Sequence, residues 1–480
     1  MINRRTFRKF TLYSSAFAVI AMSFSVSLTH IFIFVSSVFF LAGFLAEKLS
    51  GNDSVLFGRK TSTDVSHAVS SHHKKINFDF IKSPFFAGAG IFFALFVSGL
   101  INNGAAEENI SWLYKSEFSD AALFLFGLLI YYMSSDDSKN RIIYRHSFEI
   151  FIVILILSGL ISSFSEFRLS NLIMQQSMIP SAANRPQHPL FSVYGLQIFQ
   201  PVGFMNTRLT YAGLLVMILP YAFSKIFSKR GLLNSGKITS TAVFLTGMWV
   251  LFLNNSRSAQ TGLVLSAIIA LFSPLFFPAL FRMRRKILML VPVLMVAALV
   301  SGIYFLRSPE KLTLLENRII RYTDYQRPII WKGSREVFLK NPAAGSGPGN
   351  FTKATNMFRS EFIREHPEIK YFIENTPSGH AHNDLLHLAA TGGIFAGLFY
   401  LLLILNTAVF LGISVKNYDR NFFDDHGHLF LTVGAAALFI AGLAQCYFQD
   451  DEVVVVLWSI LALLSASEKN DHRILHYDSH

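Results

Sequence analysis

The chain has 480 residues, of which 52% are hydrophobic and 15% are charged, and its mean hydropathy is +0.42. This composition excludes a set of ordinary soluble domains and predicts an all-α polytopic membrane protein. The net charge of +12 would suit a nucleic-acid partner. However, the basic residues collect in short loops between apolar runs, with no basic stripe interleaved with aromatics, so we expect no nucleic acid as a partner.

Apolar runs follow one another along the whole chain and predict about twelve transmembrane helices. They lie near residues 10–28, 31–46, 84–101, 119–133, 149–164, 209–227, 239–253, 259–281, 287–306, 393–415, 428–447 and 453–467. The basic stretch from Arg4 to Lys9 also resembles a twin-arginine export signal. No small-residue cleavage site separates the first two runs, which favours a first membrane span over a removed signal.

Charged residues between the runs predict the orientation of the spans. Basic residues recur in every second loop: Arg59, Lys60, Lys74, Lys75 and Lys82; Lys139, Arg141 and Arg145; Lys229, Arg230 and Lys237; Arg282, Arg284, Arg285 and Lys286. Acidic residues mark intervening loops: Glu107, Glu108 and Glu117; Asp450, Asp451 and Glu452. Because short cytoplasmic loops are enriched in Lys and Arg, we expect both termini to be cytoplasmic. An alternative role for the second acidic group is a divalent-cation site.

Two long segments on the predicted outer side divide the chain. Residues 1–306 are predicted to contain transmembrane helices 1–9 and an outer loop at about 165–208. Residues 307–392 are predicted to form a large outer loop domain. Residues 393–480 are predicted to contain transmembrane helices 10–12 and a cytoplasmic tail. The large loop carries aromatic residues at helical spacing, which predicts a folded helical domain. These are Trp331, Phe338, Phe351, Phe358, Phe362, Tyr371 and Phe372.

Two arginines lie where predicted spans meet the outer surface. Arg208 opens the span at 209–227, and Arg257 lies in the short turn Asn254-Asn255-Ser256-Arg257-Ser258. Each could be a positional anchor that snorkels to water. Arg257, however, opposes the preference of outer loops against basic charge. A guanidinium matches phosphate oxygens bidentately, so an anionic substrate headgroup explains its position.

A second polar motif, Ser378-Gly-His380-Ala-His382-Asn383-Asp384, leads into the apolar run from Gly393. Histidine transfers protons near neutral pH, and Asn383 or Asp384 is suited to cap the following helix and fix the position of His382. The alternatives are solvated loop histidines or a metallo-hydrolase motif of the form His-x-His-x-Asp. The metal alternative is disfavoured because Leu385 stands where that motif needs a further histidine.

These motifs together resemble the O-antigen ligase and polymerase superfamily. The resemblance covers about residues 200–400 and rests on three ordered motifs. They are Ser256-Arg257-Ser258, then Arg327 to Trp331 followed by Asn341-Pro342 and Gly345-Ser-Gly-Pro-Gly-Asn-Phe351, then His382-Asn383 with Gly393. One departure is Ala396, where the family often has glycine.

The resemblance implies a metal-independent, inverting, GT-C-like glycosyltransferase without a cofactor in the bacterial inner membrane. Its donor would be a glycan on undecaprenyl pyrophosphate, its acceptor lipid A-core, and its active site periplasmic. His382 and Arg257 match the family's catalytic residues. Arg208, Arg327, Asn383 and His380 are predicted to bind substrate. An O-antigen ligase is favoured over a polymerase because the paired arginine motifs of some polymerases are absent.

A lipid-linked glycan transporter is the alternative of another class. It would need ionisable residues near the middle of the membrane, and the predicted spans offer few. No internal repeat is evident, which further weakens a transporter built from inverted halves. Lys225, in the span at 209–227, lies near the inner end of its helix.

Overall fold

The fold is predominantly helical. A computed structural model describes residues 4–49, 83–103, 107–170, 187–228, 231–282, 326–374, 379–416 and 427–477. The α-helices are α1 Arg4–Ala21, α2 Val26–Leu49, α3 Pro84–Asn103, α4 Ser116–Ala121, α5 Phe124–Asp136, α6 Ser138–Ser162, α7 Arg208–Phe227, α8 Lys237–Asn254, α9 Arg257–Arg282, α10 Gln326–Lys340, α11 Phe351–Glu365, α12 Lys370–Glu374, α13 Asp384–Lys416, α14 Gly427–Gly442 and α15 Asp451–Tyr477. Short 3-10 turns occupy Glu107–Tyr114, Leu232–Asn234 and Pro367–Ile369.

Within these described ranges, seven helical segments have the length and apolar composition to cross a membrane. They are Val26–Ala46, Pro84–Asn103, Ser116–Asp136, Ser138–Ser162, Arg208–Phe227, Lys237–Asn254 and Asp384–Val415. Helix α14 is apolar but shorter. The predicted polytopic helical membrane protein is therefore confirmed. The predicted span at 287–306 lies outside the described residues, as do the loop cations from Arg59 to Lys82, and the count of twelve stays a prediction.

Helix α7 lies at the centre of the bundle. Every residue from Thr210 to Ala222 is buried, and α8, α14 and α15 pack around this helix. Gly434 of α14 lies against the backbone of Met217, so closely that a Cβ at this position would collide with it. Small residues permit such close approach of helix backbones in membranes, where van der Waals packing drives association.

Helices α10 to α12 lie within the predicted outer domain, and α10 packs against α13. A small apolar cluster joins Ile329, Phe362 and Ile373, one residue from each of the three helices. The ammonium group of Lys332 lies 4.5 Å from the ring centroid of Phe362, which adds a cation–π contact to the cluster. The aromatic spacing therefore identified helices correctly in residues 326–374, while residues 307–325 lie outside the described part of the chain.

Three elements depart from the sequence prediction. Helix α13 begins at Asp384 rather than near 393, because Asn383 caps it, and α14 ends at Gly442, well before residue 447. The loop at 165–208 also contains a β-hairpin, β1 Pro189–Val193 and β2 Leu196–Phe199, so the fold is not wholly α. The sequence analysis did not predict this hairpin, because a two-residue turn is a short sequence signal that is hard to recognise between long apolar runs.

A buried ion pair joins two of the spans. The Lys225 ammonium lies 2.9 Å from the Glu149 carboxylate, which also accepts hydrogen bonds from Tyr221 Oη and the Leu233 backbone N–H. Burial of a carboxylate is costly unless such partners compensate it. Glu149 therefore has the partners of a structural group that fixes α6 against α7.

Candidate active site

The loop at residues 443–450, between α14 and α15, connects the elements that carry the predicted site residues. The buried Asp384 carboxylate, at the start of α13, accepts hydrogen bonds of 2.8 Å from the backbone N–H groups of Tyr447 and Phe448, and one of 3.1 Å from Tyr400 Oη. We call residues 443–450 the connecting loop. The Asp384 carboxylate satisfies two of its backbone N–H groups, which lie outside any helix.

The connecting loop orients His382. The Nδ1 atom of His382 lies 2.8 Å from Oε1 of the buried Gln445. An amide oxygen accepts a hydrogen bond, so Nδ1 carries the proton and Nε2 keeps its lone pair. The backbone of His382 has a φ of 49°, a left-handed conformation that is uncommon outside glycine and typical of functional sites. The geometry therefore leaves Nε2 as the nitrogen that can accept a proton, and no described residue makes a hydrogen bond to it.

The surroundings of His382 favour its neutral form. Burial lowers its pKa below the ordinary value, the positive charge of Arg327 lowers it further, and the Gln445 hydrogen bond opposes both effects. The ring of His380 lies edge-on to that of His382, with centroids 4.2 Å apart. Burial, with a smaller contribution from His382, lowers the pKa of His380 to about 4. Both imidazoles are therefore uncharged at neutral pH.

Asn383 caps α13, as its position before the helix predicts. Its Oδ1 accepts a 2.9 Å hydrogen bond from the Leu386 N–H, and its Nδ2 donates to the Leu443 carbonyl at 2.8 Å. The residue therefore fastens the His382 backbone to both the helix and the connecting loop. A contact between Asn383 and substrate stays a prediction.

Two of the three predicted arginines share a position in the fold. Arg208 and Arg257 are the first residues of α7 and α9, whereas Arg327 lies in α10 beside residues outside the described part of the chain, and all three are exposed. The N-terminus of a helix is the positive end of its dipole, so a cation there is unfavourable by about 0.3–1 kcal/mol. Within the described part of the chain, no acidic side chain pairs with these guanidinium groups. An anion bound at these helix starts would offset that cost.

Hydrogen bonds link two of these helix starts to the connecting loop. The side chain of Asn254 donates to the Arg208 carbonyl at 3.0 Å, which joins the end of α8 to the start of α7. Thr210 Oγ1 donates to Asp450 Oδ2 at 3.0 Å, and Ser258 Oγ lies 3.3 Å from Tyr447 Oη. The starts of α7 and α9 thus contact the same loop that orients His382. The side-chain separation of Arg257 and His382 stays a prediction.

The glycine cluster after α10 docks on a break in α13. Gly393 has φ 73° and ψ −170°, so the helical hydrogen bond from Ile394 is replaced by one of 2.8 Å to the Pro342 carbonyl. The freed carbonyls of Ala390 and Thr391 accept from Ser346 and Gly347 at 2.8 and 2.9 Å. The motif that begins at Asn341 and the motif that ends at Gly393 therefore bind each other through backbone hydrogen bonds. These bonds hold the outer domain against α13.

The connecting loop is the part of the site that the sequence analysis missed. The apolar run at 428–447 predicts that Gln445 and Tyr447 end a span, and the acidic group predicts that Asp450 marks the outer side. The signal that could have identified the loop is the pair Gln445 and Gln449, because polar side chains that interrupt an apolar run indicate function.

The metal alternatives gain no support from the geometry. Among the described residues, no group of three or more His, Cys, Asp or Glu side chains is arranged to hold a metal ion. Asp384, the third member of the His-x-His-x-Asp pattern, is instead occupied by backbone N–H groups and Tyr400.

Part of the chain matches a known protein family. Residues 241–401 match the family model described as O-antigen ligase. The matched range runs from α8 to α13 and contains Arg257, Arg327 and His382. No curated protein matches the chain. The predicted resemblance to the O-antigen ligase and polymerase superfamily is confirmed.

Proposed function

Because residues 241–401 carry the domain of the O-antigen ligase family, we propose that this membrane protein is a ligase that transfers a glycan from undecaprenyl pyrophosphate to lipid A-core. We place it in the bacterial inner membrane, with twelve spans in a GT-C-like arrangement, cytoplasmic termini and a periplasmic active site. One observation carries the proposal: a histidine whose Nδ1 is hydrogen-bonded, and whose Nε2 has no hydrogen bond among the described residues, is fixed to a loop that also contacts two arginine-bearing helix starts.

The proposed reaction is a single displacement at the anomeric carbon. The acceptor hydroxyl oxygen attacks the face opposite the diphosphate, and its proton goes to Nε2 of His382. As the new C–O bond forms, the bond to the diphosphate oxygen breaks and its electron pair stays on that oxygen. Arg257, Arg208 and the helix N-termini beneath them stabilise the developing charge. The configuration at the anomeric carbon is inverted, and no metal or cofactor is needed.

The environment of His382 predicts opposite pH shifts for two variants. The base must be neutral, so the transfer rate falls as pH drops below the pKa of His382. Gln445→Leu removes a hydrogen bond that raises this pKa, so the acidic limb of the pH–rate profile should move to lower pH. Arg327→Gln removes a positive charge that lowers the pKa of His382, so the acidic limb should move to higher pH.

The measurement is single-turnover transfer by the purified protein from about pH 4 to 8, a range that brackets the ordinary histidine pKa. The Gln445→Leu variant should also react on the order of a hundredfold more slowly, because the ring loses its orientation. A merely structural role for Gln445 would slow the reaction without moving the limb. Shifts in the same direction for both variants would contradict the assignment of His382 as the base.

A reconstituted assay tests the ligase proposal directly. Purified protein is mixed with undecaprenyl-pyrophosphate glycan and lipid A-core, without divalent cations and with a chelator, and the products are separated by gel electrophoresis. We expect glycan on lipid A-core with inverted anomeric configuration. Longer lipid-linked glycan without lipid A-core product would identify a polymerase instead. Movement of intact lipid-linked glycan across vesicle membranes, with neither product, would identify a transporter.

A further inference from the structure

The β-hairpin before α7 exposes an unusual number of apolar side chains for an element outside the spans. Phe191, Tyr194 and Leu196 are 44, 106 and 53% exposed. Phe164 and Phe167, in the segment that leads to the hairpin, are also about half exposed. Burial of aromatic side chains away from water is favourable, and a group of exposed apolar side chains is typical of a surface that contacts another molecule or a membrane.

The hairpin turn favours glycine or asparagine but carries an aromatic residue. Tyr194 and Gly195 form the two-residue loop with φ of 49° and 83°, as in a type I′ turn. A bulky residue with positive φ is strained, whereas Asn or Gly adopts this conformation readily. A tyrosine at the tip therefore costs stability. Its side chain is fully exposed, so no contact with the described residues explains that cost.

The strand register separates an apolar from a polar face. Phe191 pairs with Ile198, and Ser192 pairs with Gln197, so the pairs lie on opposite faces of the ribbon. Leu196 shares the face of Phe191 because side chains alternate along a strand. The exposed outer half of the hairpin is therefore amphipathic, with Leu196 and Gln197 as adjacent exposed residues on different faces, whereas Ile198 and Phe199 at its base are buried.

The base of the hairpin is fixed at the level where spans end. The Phe199 N–H donates to the carbonyl of Ser163, directly after α6, at 2.9 Å. The side chain of Gln200 donates to the carbonyl of Asn254, the last residue of α8, at 2.6 Å. Both helices are apolar enough to cross the membrane. The ends of such helices lie at the membrane–water interface, where tyrosine and other amphipathic aromatic side chains are enriched.

We propose that this hairpin is a lipid-contacting element whose Phe191, Tyr194 and Leu196 side chains insert into the headgroup region of the adjacent leaflet. The partner is the bilayer itself, because the base of the hairpin is hydrogen-bonded to the ends of two spans. The residue at the tip, Tyr194, has an apolar ring and a polar hydroxyl group, as interfacial side chains do. Backbone groups at the ribbon edges remain satisfied there, since the headgroup region contains water. The inference is independent of the glycan-transfer reaction.

Site-directed spin labelling in lipid nanodiscs of phosphatidylethanolamine and phosphatidylglycerol tests the proposal. Nitroxides are attached at Tyr194→Cys, Leu196→Cys and Gln197→Cys, and at Met357→Cys on exposed α11 as a water-facing reference. Cys446, the single native cysteine, is buried, and the wild-type protein measures its background labelling. Accessibility is measured to oxygen, which concentrates in lipid, and to a nickel chelate, which stays in water.

We expect the ratio of oxygen to nickel accessibility to be several-fold higher at 194 and 196 than at 357. Position 197, on the polar face, should give a lower ratio than position 196. Water-like ratios at 194 and 196 would overturn the proposal, as would equal ratios at 196 and 197. Protection of 194 and 196 from both reagents would also overturn it, because that result would mean that protein rather than lipid covers the tip.

Discussion

Replacing His382 with alanine should reduce glycan transfer by about 10²–10⁴-fold, the contribution of a positioned general base. The variant removes Nε2, the proposed proton acceptor, and leaves Asn383 and Asp384 to hold the start of α13. The measurement is the rate of lipid A-core glycosylation by purified protein in nanodiscs. Folding is monitored by thermal unfolding and by size-exclusion chromatography of the same sample.

A matched variant tests whether the loss of any imidazole side chain in this region lowers the transfer rate. His366→Ala removes a histidine from the same predicted outer domain, where its ring packs against Phe362 with centroids 4.7 Å apart. We expect His366→Ala to retain most of the transfer rate. Near-normal transfer by His382→Ala, in a folded and inserted protein, would remove His382 from the mechanism.

Replacing Gly393 with alanine should have the largest effect on the fold. Its φ and ψ, 73° and −170°, lie in a region that is essentially restricted to glycine and costs other residues on the order of 1–3 kcal/mol. A Cβ at this position would also collide with the backbone carbonyl of Ala343. We expect a lower unfolding temperature and loss of transfer, because the outer domain can no longer dock on α13.

Gly397→Ala is the matched control on the same helix. A Cβ at position 397 would lie 3.4 Å from the Ala389 Cβ, an ordinary contact, and alanine favours a helix over glycine by about 1 kcal/mol. Its unfolding temperature should equal or exceed that of the wild type. Wild-type stability and activity in Gly393→Ala would show that the break in α13 is dispensable.

The sequence predicted those features of the site that depend on local chemistry. The polar pair Asn383 and Asp384 predicts a helix cap at one of these two residues, and in the structure it is Asn383 that caps α13. The position of Arg208 at the start of a span and the cation Arg257 in a short outer turn are both evident from the sequence. The structure agrees that Arg208 begins α7, and it adds that Arg257 begins α9.

The remainder of the site could not be predicted because it depends on contacts distant along the chain. His382 and Gln445 are 63 residues apart, and Thr210 and Asp450 are 240 apart. The residue types alone do not indicate which side chains contact each other, so the sequence predicts only that Gln445 lies within the apolar run at 428–447. The hairpin was missed for a different reason, since the turn Tyr194-Gly195 lacks the Asn-Gly or Asp-Gly signal.

The connecting loop also has a consequence for biosynthesis. It emerges from the ribosome long after Arg208 and Arg257, and after His382 itself. Until α14 has inserted and Gln445 has reached the imidazole, the base lacks its orienting partner and Asp384 lacks the N–H groups of Tyr447 and Phe448. A nascent chain would therefore be inactive toward lipid-bound sugars throughout membrane insertion, and reactivity would appear late, as the final hairpin of helices is delivered to the bilayer.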